Sequence, residues 1–412
     1  MANILVATEA INPDNGVGGL NRFMMLLALL KAKHNVTALF PKECIRDSNP
    51  VKNINVKTIT LEYPSYKPSL WNKIPKIRAL NTLIKGKDPI FLHKARIWKT
   101  NIEKILSEQS IDYILTLGAG EIYLPHWAML EVKTKVPWIT FFHDPYPVSM
   151  APEPYKKSHF PFDLMISFKV KKMIKKSIAV TYPSELIINK LSQNFKELNK
   201  KSYVLPHTRD ENYILNLLQD EKKEITNNDK FVITHVGRIS RFRNPWPLMK
   251  AIIRLMEEDM EFKQKCKTKF IGDFDIRNSY YDYIKKLPDN FNIINQRINY
   301  KNALLELISA DLAVIIEANG PYSPFMPGKL ADILFFEKPL LALTPKISEI
   351  RRIMGDEYPY LATPENEEEI FQALKKAWDA WKNNRLNLEN SKKLRKYISS
   401  SFFIDQFNKI IS

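Results

Sequence analysis

Cysteine is nearly absent from this 412-residue chain, which holds only Cys44 and Cys266. They stand far apart and outside any metal-ligand spacing, so they exclude a disulfide framework and read as isolated thiols of a reducing compartment. Long apolar runs are lacking too. Stretches such as Ala313 to Ile316 have the length of a strand, against the ~20 residues that cross a bilayer. The start, Met1-Ala2-Asn3-Ile4-Leu5-Val6, has neither a basic opening nor a long apolar segment, so no signal peptide is expected and the chain is placed on the cytoplasmic side. Short repeats and low-complexity segments are missing as well. Glycine is scarce, with 11 residues, and where those glycines fall is therefore informative.

Positive charge is abundant: the formal net charge is +17. Such an excess favours anionic partners. One cluster runs from Lys67 to Lys104 and includes Lys73, Lys76, Arg78, Lys85, Lys87, Lys94, Arg96 and Lys99, with Trp71, Phe91 and Trp98 interleaved. A second, Lys169, Lys171, Lys172, Lys175 and Lys176, lies beside Phe160, Phe162, Met165 and Phe168. Basic residues mixed with rings suit an anionic membrane surface; a solvated basic face is the plainer alternative. No nucleic-acid motif accompanies the charge, so no nucleic-acid partner is expected.

The apolar pattern alternates strand and helix. Ile4 to Thr8, a loop holding Gly16, Gly18 and Gly19, a helix over Leu20 to Lys33 and a strand over Val36 to Phe40 make a βαβ unit, hence a parallel sheet. Strands follow at Tyr113–Leu117, ending at Gly118 and Gly120, at Trp138–Phe142, ending at His143, at Ile178–Tyr182, and at Tyr203–Leu205. Polar residues 210–230 read as a linker. A second series then begins, with strands at Phe231–Val236, Lys269–Ile271, Leu312–Ile316 and Pro339–Leu343. Helices are expected over Leu248–Glu258, Lys329–Phe336 and Glu367–Asn383. The fold class is α/β, with two Rossmann-like doubly wound domains, residues 1–209 and 231–395, facing a central cleft in which ligands bind at strand carboxyl ends.

Three segments carry chemistry. Gly18-Gly19 lies after the first strand, where glycine permits a tight turn or close approach to a ligand; a full dinucleotide fingerprint is missing. In Gly237-Arg238-Ile239-Ser240-Arg241-Phe242-Arg243-Asn244, three arginines follow a strand end within six residues. Guanidinium forks bind phosphate in two-pronged fashion, and a diphosphate would relieve their mutual repulsion. Pro324-Phe325-Met326-Pro327-Gly328-Lys329-Leu330-Ala331-Asp332 opens a helix whose first amides suit phosphate or sugar oxygens. Asp273-Phe274-Asp275 fits a metal-binding pattern, but its place after Gly272 reads as a turn, and no metal is expected.

Taken in order, these segments resemble the glycosyltransferases of the GT-B fold, especially the retaining fourth family and its relatives, over nearly the whole length. The opening strand and Gly-Gly loop, His34-Asn35-Val36-Thr37, the strand ending in His143-Asp144, the Gly237-to-Asn244 segment, and Lys329-Leu330-Ala331-Asp332 with Lys338-Pro339-Leu340 carry that resemblance. It implies donor binding by Gly237, Arg238, Arg243, Phe325, Met326, Pro327, Gly328, Lys329 and Asp332, with Asp332 on the ribose. It places His143 near the donor sugar, in a catalytic role with Arg238 and Arg243, and puts Gly18, Gly19 and Asp144 on the acceptor side. It also implies that a terminal helix over 396–412 packs back on the first domain. The partners implied are a nucleotide sugar and a glycan or lipid-linked acceptor, with no cofactor and no metal, in cell-surface polysaccharide or lipopolysaccharide assembly. The sequence departs from the pattern at Pro324, where the family has an acid, and Glu317 stands too early in register. A non-catalytic partner subunit and a nucleotide-sugar epimerase of the same fold remain as alternatives.

Overall fold

The computed structural model describes every residue except 46–48, 68–73, 119–121, 220–228 and 276–283. Trp71, Lys73 and Gly120, singled out above, lie outside the described residues. The chain forms two compact units: Met1–Ala151 with Tyr155–Thr208 and Ser400–Ser412, and Pro152–Pro154 with Arg209–Ser399.

The first unit is built on a seven-stranded sheet in the order β3-β2-β1-β4-β5-β6-β7. Its strands are β1 (Asn3–Thr8), β2 (Asn35–Pro41), β3 (Lys57–Leu61), β4 (Tyr113–Gly118), β5 (Trp138–Phe142), β6 (Ala179–Tyr182) and β7 (Ser202–Val204). All neighbours are parallel. β4 and β5 are buried along nearly their whole length, as a parallel sheet with both faces covered requires. Its helices include α1 (Val17–Lys31), α2 (Pro75–Lys85), α3 (Pro89–Glu108) and α4 (Phe162–Lys176).

Helix α1 starts earlier than the apolar pattern predicts. Gly16, at φ 105, caps it, and Gly18 and Gly19 form its first turn instead of a loop. A Cβ at Gly19 would stand 2.0 Å from the Asn12 carbonyl oxygen, so this glycine lets α1 pack against its own lead-in segment. A short helix over Ser391–Tyr397 precedes the terminal helix, which spans Ser400–Ile411 against the expected 396–412. The latter joins the first unit: Phe403 and Phe407 are buried, Phe407 meets His34 edge-on at 5.9 Å, and Tyr113 Oη donates to Ile411 O at 2.9 Å.

The second unit holds a six-stranded parallel sheet in the order β10-β9-β8-β11-β12-β13. Its strands are β8 (Phe231–Val236), β9 (Cys266–Ile271), β10 (Phe291–Ile294), β11 (Leu312–Ile316), β12 (Leu340–Leu343) and β13 (Leu361–Ala362). Part of the expected linker is a helix, α5 (Glu211–Leu218). Asp210 caps it by accepting from Tyr213 N at 3.0 Å, and Ile214 is buried. One cap and one buried side chain outweigh the polar composition. The helices that frame the site are α6 (Trp246–Glu258) and α7 (Gly328–Phe335). Among the described residues no helix is long and apolar enough to cross a membrane.

Candidate functional site

In the second unit the strand order reverses between β8 and β11, and ligands of doubly wound sheets bind at that switch point, beyond the carboxyl ends of the strands. His235 is the penultimate residue of β8. Its Nδ1 lies 3.1 Å from Val314 O on β11, and its Nε2 lies 3.2 Å from Lys329 Nζ in the first turn of α7. A carbonyl only accepts, so Nδ1 carries the proton and Nε2 accepts from lysine. Burial and the adjacent Lys329 hold the imidazole well below its usual range. Burial and Arg243 do the same to the Lys329 ammonium. Gly237, at φ 132, turns the chain directly over this pair: a Cβ there would meet Lys329 Nζ at 2.9 Å.

Arg243 is half-buried, and its charge is felt by His235, Lys329 and Glu317. Arg238 is exposed, and the guanidinium of Arg241 lies 4.5 Å over the Phe242 ring. Of the three arginines, Arg243 is the one whose charge acts on Lys329 and His235. Beside them Ile239, Ser240, Arg243, Trp246, Phe274 and Ile293 line a largely apolar pocket. Gly272, at φ 147, packs so closely that a Cβ would stand 2.3 Å from Gly237 O. The Asp273-Phe274-Asp275 segment is a bridged turn: Ile239 N donates to Asp273 O at 3.0 Å, and Asp275 N donates to Ile239 O at 2.9 Å.

Phe325 and Pro327 are half-buried and Met326 and Gly328 buried, in the approach to α7. Asp332, expected on the ribose, is hydrogen-bonded within the protein. Its Oδ1 accepts from Arg209 Nε at 2.5 Å and from Tyr300 Oη at 2.7 Å, and its Oδ2 accepts from Arg209 Nη2 at 2.9 Å. Arg209 Nη2 also donates to Gly328 O at 2.8 Å. Both carboxylate oxygens are engaged in a buried network that pins α7. Glu317, set aside as out of register, directly follows β11 and is buried, accepting from Ser323 Oγ at 2.6 Å and from Thr344 Oγ1. Burial pushes its carboxyl up to about 7.

In the first unit, strand order reverses between β1 and β4. Glu9 follows β1; burial raises its carboxyl to about 7, against the pull of Arg22 on α1. Glu9 Oε2 and Arg22 Nη2 are buried with no hydrogen-bond partner. His143 ends β5 and stacks on His207 at 4.8 Å and 25°. Burial holds His143 below its usual range, with Asp144 opposing. Asp144 is half-buried beside it. Gly18 and Gly19 stand within α1, as described. Sequence reading missed Glu9, Arg22, Arg209 and His235. Only His235 left a signal, as an imidazole inside an otherwise apolar strand.

No protein-family profile matches the sequence, and no curated protein matches it. Solved structures do match its fold. A glycosyltransferase from Rickettsia africae superposes with a TM-score of 0.66 at 13% identity, covering 99% of this chain and 97% of that one. A UDP-forming α,α-trehalose-phosphate synthase from Burkholderia vietnamiensis gives 0.65 at 11% identity, with coverage of 99% and 98%. Anabaena HepE, solved with UDP-glucose, gives 0.58 at 12% identity, with coverage of 100% and 99%. The chain has the GT-B fold of these glycosyltransferases.

Proposed function

We propose that this protein is a glycosyltransferase moving a sugar from a nucleoside diphosphate sugar to a glycan or lipid-linked acceptor. The observation that carries the reading is the Lys329–His235 contact beside Arg243, at the β8–β11 switch point. Burial and the Arg243 charge disfavour the charged form of Lys329 in the empty site, and a bound diphosphate would favour it. The apolar pocket with Trp246 and Phe274 next to Arg243 suits a nucleobase. Uridine is favoured by the UDP and UDP-glucose named for the structural neighbours.

In this reading Lys329 and Arg243 stabilise charge growing on the leaving diphosphate, electrostatic catalysis that requires no metal. His235 aims Lys329, its Nε2 lone pair accepting one ammonium proton while the others face the ligand. Arg238, exposed in the same loop, adds a donor when the site fills. The first unit holds the acceptor, and retention of configuration is the stereochemical reading. Cell-surface polysaccharide or lipopolysaccharide assembly on an anionic inner membrane surface is the setting. A non-catalytic partner subunit is the second reading, favoured by Pro324 and by the engagement of Asp332 with Arg209. The deciding experiment measures nucleoside diphosphate release from a panel of nucleotide sugars, with and without EDTA. Slow EDTA-insensitive release from one donor supports the enzyme. Donor binding without any release or transfer favours the partner subunit.

A further inference from the structure

The first unit carries a surface that the donor site does not use. Helix α4 exposes Leu164, Phe168, Lys171, Lys172 and Lys175, which at helical spacing form one stripe, apolar at its head and basic toward its tail. Phe160, just before the helix, is 79% exposed, and Leu164 62%. Helix α2 buries none of its residues and exposes Leu80 and Ile84. The two helices meet: Gly86, which caps α2, packs against Met165 of α4, where an added Cβ would stand 3.0 Å from Met165 Cγ. The apolar tips therefore belong to neighbouring elements.

The charge around those tips has one dominant sign. Helix α2 carries Lys76, Arg78 and Lys85 and no acid, and α4 carries five lysines and a single aspartate, Asp163. Asp163 is turned to its own helix start, accepting from Ser158 Oγ and His159 N. Lys172 Nζ lies 4.5 Å over the Phe168 ring. Beside the stripe, and sharing Lys171 with it, an open depression is lined by Lys171, Lys196, Lys200 and Lys201 together with Asn194 and Glu197. Glu197 is held below its usual range by its own amide and by Lys171, Lys175 and Lys201, which shows the sign of the local field.

We propose that the α2–α4 face docks on an anionic bilayer, with Phe160, Leu164, Phe168, Leu80 and Ile84 entering the headgroup–acyl boundary and the lysine-lined depression beside α4 receiving a lipid phosphate. Lysines alone would suit any polyanion. Protruding leucine, isoleucine and phenylalanine tips set among lysines complement a surface that is apolar beneath and anionic above, as a bilayer boundary is, and large exposed apolar side chains of this kind mark interaction sites. The lysine stems lie along the apolar tips while their heads reach the phosphate plane. The face rests on the transferase reading only for its purpose, access to a lipid-borne acceptor.

Sedimentation of the full chain with phosphatidylcholine vesicles, with and without phosphatidylglycerol, tests this without donor or turnover. A failure here therefore leaves the donor site standing, and a failed donor assay leaves the docking face standing. Phosphatidylglycerol should raise the bound fraction at least about tenfold, and added salt should lower it. The combined variant Phe160→Ser, Leu164→Ser, Phe168→Ser, altered only at exposed or pre-helical positions, should lose about tenfold or more at unchanged net charge. Lys171→Gln, Lys172→Gln, Lys175→Gln should lose a similar factor, with the circular dichroism of both variants unchanged. Absence of binding to phosphatidylglycerol vesicles overturns the proposal. So does undiminished binding by the serine variant, or capture of duplex RNA in preference to vesicles.

Discussion

Lys329 Nζ lies 3.2 Å from Nε2 of His235, whose Nδ1 is held by the Val314 carbonyl at 3.1 Å. The imidazole is thereby fixed as a neutral acceptor and the ammonium is aimed at the turn over Gly237. Replacing Lys329 by methionine keeps the aliphatic stem and removes the charge. The empty protein should melt no lower than wild type, because a desolvated cation is removed. Affinity for a nucleoside diphosphate should fall roughly 10- to 100-fold, the worth of a charge-assisted hydrogen bond. Thermal melts paired with calorimetric titration read both effects.

The same lysine makes donor binding depend on pH. Burial and Arg243 hold Lys329 well below its usual range in the empty site. A bound diphosphate favours the charged form, so binding takes up a proton and affinity declines as pH rises above the empty-site value. Titrations in two buffers of different ionisation enthalpy should show net proton uptake in wild type and none in Lys329→Met.

Glu317 gives the second unit a pH dependence of its own. Its carboxyl sits at about 7 when folded, against an ordinary 4.5. Its folded value is raised, so its contribution is fully present below 4.5 and is lost as pH rises through about 7. The loss is about 3 kcal/mol. Glu317→Gln should flatten the decline in melting temperature between those limits. An unchanged slope would show that Glu317 is ionised in the folded protein.

What was legible in the sequence follows from burial. Strands buried on both faces, such as Ile4–Thr8 and Leu312–Ile316, print as continuous apolar runs and were read correctly. The edge strands β3 and β10 were missed, because half-exposed Lys57–Leu61 and Phe291–Ile294 mix polar and apolar residues. Glycine misled where its function was steric: Gly19 yields to the Asn12 carbonyl from inside a helix. Arg243 and Lys329 stand out in the sequence as cations after strand ends, and the fold brings the charge of one to bear on the other. The Arg209–Asp332 pair does not stand out, because its partners are 123 residues apart and only the fold joins them.

That pair carries its own prediction. Arg209 is completely enclosed, and Asp332 supplies two of its hydrogen bonds. Asp332→Ala leaves a buried guanidinium without its counter-charge and should destabilise the second unit by about 3–5 kcal/mol. Denaturant melts followed by tryptophan fluorescence measure the loss. A ribose ligand with no structural role would instead leave stability intact and weaken nucleoside binding alone.

Binding of a nucleoside diphosphate through Arg243 and Lys329, at the carboxyl ends of β8 and β11, is what the proposed function requires first. Calorimetric titration with UDP, in EDTA, compares wild type with Arg243→Ala and Lys329→Met. The account predicts binding by wild type and a loss of about tenfold or more in each variant. Binding that both variants retain in full, or no binding of any nucleoside diphosphate by wild type, would contradict it.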